Sequence, residues 1–297
     1  MMRSIIKIIT AISITLINSA NVFAQEGDLM NELEKSSQEP VYVSQAFKGT
    51  RLVNGHTVET IGQGNLEFIF AHRFGRMNGG LYELFGLDDA YIRIGLEYGV
   101  TKNFDIGIGR SSVDKSIDSY LKYCLLRQSK QGIPVTITAF GSVTYKTSPK
   151  KEDVPEGFQT TDRLAYTGQV LIARRINSKL SLQLMPTYVH KNWIPETEGS
   201  SDQMALGVGG RIKLSRSVSV NAEYYYRINP DKNSSYQDAL GLAIDIETGG
   251  HVFQIVLTNT RGMIERTFVT ETDGNFFDGD IHLGFNITRA FQLNHKK

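Results

Sequence analysis

Hydrophobic and polar residues alternate with a period of two in one segment after another, from about residue 65 to the C-terminus. In residues 91–100, for example, Ile94 and Leu96 fall on one face and Arg93 falls on the other. Successive side chains of a β-strand point to opposite faces, so the pattern predicts strands with one apolar and one polar face. No helical pattern separates these segments.

The alternating segments predict about twelve strands, most of them near the roughly 9–11 residues that a tilted strand needs to cross a bilayer. The predicted strands are 66–74, 91–100, 104–110, 117–127, 134–145, 163–175, 179–190, 203–214, 217–227, 238–247, 251–259 and 280–291.

The links between the predicted strands are alternately short and long, although 111–116 and 128–133 are similar in length. Outer-membrane barrels have short periplasmic turns, long extracellular loops and an even strand number. With this count, both termini lie in the periplasm. The short links are 101–103, 128–133, 176–178, 215–216 and 248–250, and the long links are 75–90, 111–116, 146–162, 191–202, 228–237 and 260–279.

The polar face carries many charges and glycines, which is unlike the wet outer surface of a small soluble barrel. Tyrosines cluster toward strand ends, where membrane barrels carry aromatic girdles. The predicted fold is therefore all-β: a transmembrane, antiparallel, up-and-down β-barrel of about twelve strands, with apolar side chains facing lipid.

The N-terminus has the features of a secretory signal. Two basic residues, Arg3 and Lys7, precede a short apolar run, and Val22-Phe23-Ala24 supplies small residues for cleavage after Ala24. We predict a signal peptide at 1–24, a periplasmic leader or lumen plug at 25–64, and the barrel at 65–297. The expected location is the outer membrane of a Gram-negative cell.

Composition narrows the function classes. The net charge of +1 argues against a nucleic-acid partner, and one cysteine, Cys124, excludes an internal disulfide framework. No motif indicates a cofactor or a metal. The expected partners are outer-membrane lipid, the barrel-assembly machinery during insertion, and small solutes.

Three stretches resemble a family of bacterial outer-membrane β-barrels known only as a domain of unknown function. They are Phe47-Lys48-Gly49-Thr50-Arg51-Leu52-Val53-Asn54-Gly55-His56, His72-Arg73-Phe74-Gly75, and the closing strand Gly284-Phe285-Asn286-Ile287-Thr288-Arg289-Ala290-Phe291. The resemblance covers nearly the whole mature chain. It implies a barrel in a membrane and carries over no catalytic residue.

Charged side chains of both signs fall on the predicted lumen face. They could orient a polar solute in a channel, or pair across a narrow barrel and fill it. Lumen glycines, such as Gly107 and Gly209, leave space for a passage or a plug. The predicted lumen-lining residues are Glu67, Arg73, Arg93, Glu97, Asp105, Lys122, Arg175, Arg211, Lys213, Glu223, Arg227 and Asp245.

The segment before the first strand is too apolar for a flexible leader. We predict that residues 41–62 dock in or beneath the periplasmic mouth, with Phe47 and Arg51 as plug residues and a tight turn at Asn54-Gly55. Arg51 is expected to meet lumen carboxylates, such as Glu67, Glu97 and Glu223. The alternative is a strand extension or a simple tether.

The function favoured by the sequence is a channel for passive passage of small polar or charged solutes. The alternative is a closed or plugged barrel with a structural or partner-docking role. A membrane-embedded hydrolase is a distant third, because the histidines are scattered and none has a recognisable Ser/His spacing. No catalytic residue is predicted.

Overall fold

In a computed structural model of the chain, the alternating segments form twelve antiparallel β-strands that close into one barrel. The structure describes residues 41–150, 153–194, 200–228, 230–231 and 234–293. The expected signal peptide and the leader residues 25–40 lie outside this part of the chain.

Each strand pairs with the next in sequence, and β1 pairs with β12 to close the barrel, with Phe70 opposite Ile287. The predicted fold class is confirmed, and the predicted strand ends differ from the observed ends by at most two residues. The strands are β1 (Asn65–Arg76), β2 (Ala90–Gly99), β3 (Phe104–Ser111), β4 (Ile117–Leu126), β5 (Thr136–Tyr145), β6 (Leu164–Arg175), β7 (Leu180–Lys191), β8 (Asp202–Lys213), β9 (Val218–Ile228), β10 (Ala239–Thr248), β11 (His251–Thr258) and β12 (His282–Gln292).

Alternation places the apolar side chains outside the barrel and the charged ones inside it. Leu96, Ile108 and Leu121 are exposed on the outer face, whereas Glu97 and Lys122 are fully buried. A soluble barrel has the reverse arrangement, because its core is its interior. Among the described residues, no helix is both long and apolar enough to cross a membrane.

The two ends of the barrel differ. The β2–β3, β4–β5, β6–β7, β8–β9 and β10–β11 connections lie at one end, which we call the short-turn end. The other six connections lie at the opposite, long-loop end, because consecutive strands run in opposite directions. Four of the long-loop connections contain 3-10 helices in the part of the chain that the structure describes, at Met77–Gly86, Val113–Lys115, Thr160–Arg163 and Phe276–Asp278.

Residues 41–64, which we call the plug segment, run into the barrel, and most of residues 46–60 are buried there. The segment enters at the short-turn end, where Val43 N–H donates to the Gln128 carbonyl. It reverses at a hairpin in which Leu52 N–H donates to Gly55 O. The backbones of Arg51 and His56 form an antiparallel β-bridge in this hairpin. It returns to the same end and leads directly into β1.

The loop from 259 to 281, between β11 and β12, folds into the lumen from the long-loop end. Its short helix α1 (Glu265–Thr270) is buried along its whole length. Phe268 of α1 packs edge-on against Tyr225 of β9, with ring centroids 5.0 Å apart. The sequence analysis placed this stretch in an extracellular loop and did not predict that it turns inward.

Candidate functional site

The lumen is filled, and its glycines make room for large side chains. A Cβ added at Gly209 would lie 2.3 Å from Leu52 of the plug segment, and one at Gly107 would lie 2.1 Å from the Tyr120 ring. At Gly55, the turn of the hairpin, an added Cβ would meet the Tyr225 hydroxyl at 2.1 Å. The space that glycines leave is therefore already occupied.

The hairpin tip is held by one carboxylate of the wall. Glu223 of β9 accepts hydrogen bonds from the backbone N–H groups of Val53 (3.2 Å), Asn54 (2.8 Å) and Gly55 (3.1 Å). An ionised carboxylate is a strong acceptor, and the turn presents three donors that would otherwise be unpaired in a dry interior. Glu223 therefore binds the backbone of the hairpin tip, and this binding does not depend on which side chains the tip carries.

Side chains of β1, β11 and β12 complete the binding of the tip. Arg73 donates to Asn54 Oδ1 at 2.8 Å and to Asn286 Oδ1 at 2.9 Å. Asn286 in turn donates to the Val53 carbonyl at 3.0 Å, and Gln254 donates to the Leu52 carbonyl at 2.8 Å. The polar partners of the tip thus lie on one continuous part of the wall, from β9 through β11 and β12 to β1.

The two arms of the hairpin are bound as well. Thr50 donates to Glu67 of β1 at 2.6 Å, and Gln183 of β7 accepts from Val58 N–H at 2.9 Å. Glu59 accepts the N–H groups of Ala46 and Phe47 from the opposite arm. Phe47 is buried in an apolar cluster inside the barrel.

Arg51 does not pair with any of the three wall carboxylates that the sequence suggested. Its Nη1 lies 3.5 Å from Glu265 Oε1 of α1, and its guanidinium lies 5.6 Å from the centroid of the Tyr120 ring. The suggested partners are otherwise engaged: Glu67 by Thr50 and Glu223 by the hairpin tip, while Glu97 lies 2.9 Å from Lys122 Nζ. The plug segment and the β11–β12 loop therefore meet through this ion pair.

Burial shifts the titration of the groups at this meeting point. It lowers the pKa of His56 well below 6.5, and the cations Arg51, Lys122 and Arg93 lower it further. Burial raises the pKa of Glu265, an effect that Arg51 partly offsets. His56 is also packed against the rings of Tyr120 and Phe140, so its neutral form is the one that fits.

Other wall carboxylates in the lumen pair with wall cations. Lys122 lies 2.9 Å from Glu97 and 3.9 Å from Asp105, and all three side chains are fully buried. Asp105 also accepts the Ile61 N–H of the plug segment at 3.1 Å. Arg93 pairs with Asp118, a residue that the sequence analysis did not list. These charges neutralise one another rather than form separate rows.

The remaining predicted lumen residues lie toward the barrel ends. Arg227 pairs with Asp238 at the long-loop end at 3.2 Å, and Asp245 accepts from Gln254 at 2.6 Å. At the short-turn end, Arg211 pairs with Glu247 and contacts Ser219. Arg175 and Lys213 line a cleft beside it.

The inward loop has its own ion pairs. Arg266 of α1 contacts Asp114 at 2.9 Å and Glu271 at 2.5 Å, and Lys191 of β7 lies 3.2 Å from Glu271. Burial alone would raise the pKa of Glu271, but Arg266 and Lys191 more than offset it and the pKa is lowered. The sequence analysis missed these residues, although the apolar Met263, Ile264, Phe268 and Val269 in a long loop were a usable signal.

The space left around the hairpin is small. One cavity between the plug segment and β1, β2, β11 and β12 has a volume of about 30 Å³, enough for a few water molecules at most. A wider vestibule of about 780 Å³ opens between the arms of the plug segment and the β4–β5 turn. Its lining includes the buried residues Ala46, Val58 and Glu59.

Within the described residues, no group of three or more histidine, cysteine, aspartate or glutamate side chains could hold a metal. The histidine side-chain hydrogen bonds in the same part of the chain go to Asp202 and to the Phe74 carbonyl, not to a serine. Cys124 is a buried free thiol.

Solved structures of porins are similar to the chain at low sequence identity. The NanC porin is 10% identical, covers 77% of this chain and 100% of its own, and has a TM-score of 0.48. The KdgM porin is 9% identical, with 76% and 99% covered and a TM-score of 0.46. A mutant of the Rhodopseudomonas blastica porin is 12% identical, with 68% and 55% covered and a TM-score of 0.33. No curated protein matches.

A family model matches most of the chain. The model describes a membrane bound beta barrel domain (DUF5777) and covers residues 47–291. The match begins in the plug segment and ends in β12, so it includes the hairpin as well as the barrel. The chain therefore belongs to the membrane bound beta barrel domain family (DUF5777).

Proposed function

We propose that the protein is a plugged outer-membrane barrel, closed at rest, that passes small polar or charged solutes only after the plug segment and the β11–β12 loop are displaced. The observation that carries the proposal is the contact between the two inserts. One enters from each end, and they meet at Arg51 and Glu265 inside the barrel. A solute that crosses the barrel would need both to move.

The wall beneath the inserts supports passage rather than a solid core. Its inward side chains include Glu67, Arg73, Gln183, Glu223 and Asn286, each of which binds the plug segment. If the plug segment left, these groups would line a hydrated passage, because water would replace the plug segment as their hydrogen-bond partner.

Conductance in planar bilayers tests the proposal. We expect the full chain to show no steady current. A variant that lacks residues 41–62 and has residues 261–273 replaced by a short Gly/Ser linker should give stable pores, whereas each change alone should leave the barrel closed. Heat-modifiable gel migration would show that each variant folds. Steady current through the full chain, or silence of the folded double variant, would contradict the proposal.

The orientation is a separate part of the proposal. We place the short-turn end in the periplasm, because short turns occupy that side in outer-membrane barrels. An epitope tag near Pro155 should then be labelled on intact cells, whereas a tag at Asn177 should be labelled only after the outer membrane is opened. The opposite labelling would show that the barrel is inverted.

A second candidate is a permanently closed barrel that docks a partner. The observation that favours it is a set of exposed apolar side chains at the long-loop end, where Leu81 is 75%, Tyr82 96% and Phe277 85% exposed. Single-channel recording of the full chain separates the two, because a permanently closed barrel shows no openings at any applied potential, whereas a displaceable plug gives voltage-driven openings.

A further inference from the structure

A cleft of about 240 Å³ lies at the short-turn end, between the plug segment and the wall strands β6, β7, β8 and β10. Five cationic side chains and one carboxylate line it. They are Lys48, Arg175, Lys179, Arg211, Lys213 and Glu247. The whole chain has a net charge of only +1, so this cleft concentrates positive charge rather than sharing a general excess.

The one carboxylate is already engaged. Glu247 pairs with Arg211 and lies 3.6 Å from Lys48 Nζ. Among the described residues, no carboxylate lies within ion-pair distance of Arg175, Lys179 or Lys213. Three cations of the cleft therefore have no counter-charge among the residues that the structure describes.

The cleft faces the lumen mouth and not the lipid. Ile212, between Arg211 and Lys213 on β8, is exposed on the outer face, which places its two neighbours on the inner side. Ser181, on the inner face of β7, donates to the Ala46 carbonyl at 2.7 Å and joins the wall to the plug segment. A ligand would therefore come from the aqueous phase and would touch the plug segment as well as the wall.

We propose that this cleft binds a small, soluble, multivalent anion that carries phosphate or carboxylate groups. The arginines can bind such groups in a bidentate manner, and the lysines add point charges. The cleft, at about 240 Å³, has room for a small anion but not for a polymer. The site does not depend on whether the barrel opens.

Binding of inorganic pyrophosphate to the full chain in detergent, measured by calorimetry at low salt, tests the proposal. We expect binding to the wild type, and a loss of affinity of about tenfold in Lys179→Gln/Lys213→Gln. Lys48→Gln should also weaken binding, because Lys48 brings the plug segment into the site. Lys102→Gln/Lys115→Gln removes two charges outside the cleft and should bind as the wild type does.

Glu247→Gln gives a prediction of opposite sign. It removes the one carboxylate of the cleft and frees Arg211 and Lys48, so it should bind pyrophosphate more tightly than the wild type. Damage to the fold would weaken binding instead. The proposal is overturned by absence of binding to the wild type, by equal losses in the Lys179/Lys213 and Lys102/Lys115 variants, or by weaker binding in folded Glu247→Gln.

Discussion

Arg51 of the plug segment and Glu265 of α1 lie 3.5 Å apart inside the barrel, and both side chains are almost completely buried. The two residues are more than two hundred positions apart in the sequence, and the segments that carry them enter from opposite ends of the barrel. This pair is the point at which the two inserts depend on each other.

Removal of one partner should therefore loosen both inserts. We expect Arg51→Met and Glu265→Gln each to weaken docking of the plug segment by about 3 kcal/mol, because each leaves a buried group without its partner. The double variant should cost less than the sum. Hydrogen–deuterium exchange of the plug amides measures these changes, and strictly additive effects would show that the pair is not coupled.

Glu223 should matter more than other lumen carboxylates. Glu223→Gln replaces an acceptor of three backbone N–H groups by an amide with donors of its own, and we expect docking to weaken by about 1.5–3 kcal/mol. Asp245→Asn is the matched control, since Asp245 reaches the plug segment only through Gln254. Equal exchange rates in the two variants would contradict the role of Glu223.

The contribution of His56 to the docking free energy of the plug segment should be lost as the pH falls below 6.5. The docked state holds the pKa of His56 below that value, so only the undocked state gains a proton there. Between pH 7.5 and 5.5, the wild type should lose about 1.4 kcal/mol of docking free energy relative to His56→Phe. The charged or titratable groups that face His56 are Arg51, Arg93, Tyr120, Lys122 and Glu265.

The comparison with His56→Phe isolates the histidine. Glu59 and Glu265 have raised pKa values in the docked state and so favour docking at lower pH, but they do so in both proteins. Plug exchange rates at the two pH values give the difference. Parallel pH profiles for the wild type and the variant would contradict the assignment.

The outer face should tolerate no charge. Leu96 is 42% exposed on the apolar outside of β2, and Leu96→Arg should destabilise the barrel by about 2–4 kcal/mol in lipid. Leu96→Met keeps the face apolar and should fold like the wild type. Urea unfolding in lipid vesicles measures both, and equal midpoints would reject the inside–outside assignment.

The strands were predictable because the period of two is a local signal that each strand repeats. The same signal placed Glu97 and Lys122 inside and Leu96 outside, and the Asn54-Gly55 dipeptide indicated the turn of the hairpin. The partner of each lumen charge could not be predicted, because it depends on how strands one or two apart in the wall are aligned.

The inward loop was not predicted, since a helix of six residues has too few turns to show a helical period. The binding of Val53, Asn54 and Gly55 by Glu223 was also hidden. Those bonds use the backbone of the hairpin, which any sequence supplies, and join residues about 170 positions apart. Arg51 does meet a lumen carboxylate, but it is Glu265 rather than one of the three wall carboxylates named from the sequence, because those were chosen without knowledge of the loop that brings Glu265 to it.

The most direct test asks whether the hairpin occupies the lumen of the protein in its membrane. A Cβ at Gly241 of β10 would lie 3.3 Å from Val53 Cβ, close to the separation in a disulfide. In a Cys124→Ser background, Val53→Cys with Gly241→Cys should cross-link on mild oxidation, as read by mass spectrometry. Val53→Cys with Thr167→Cys, on another part of the inner wall, should not. Failure of the first pair to cross-link, or equal cross-linking of both pairs, would contradict a plugged barrel.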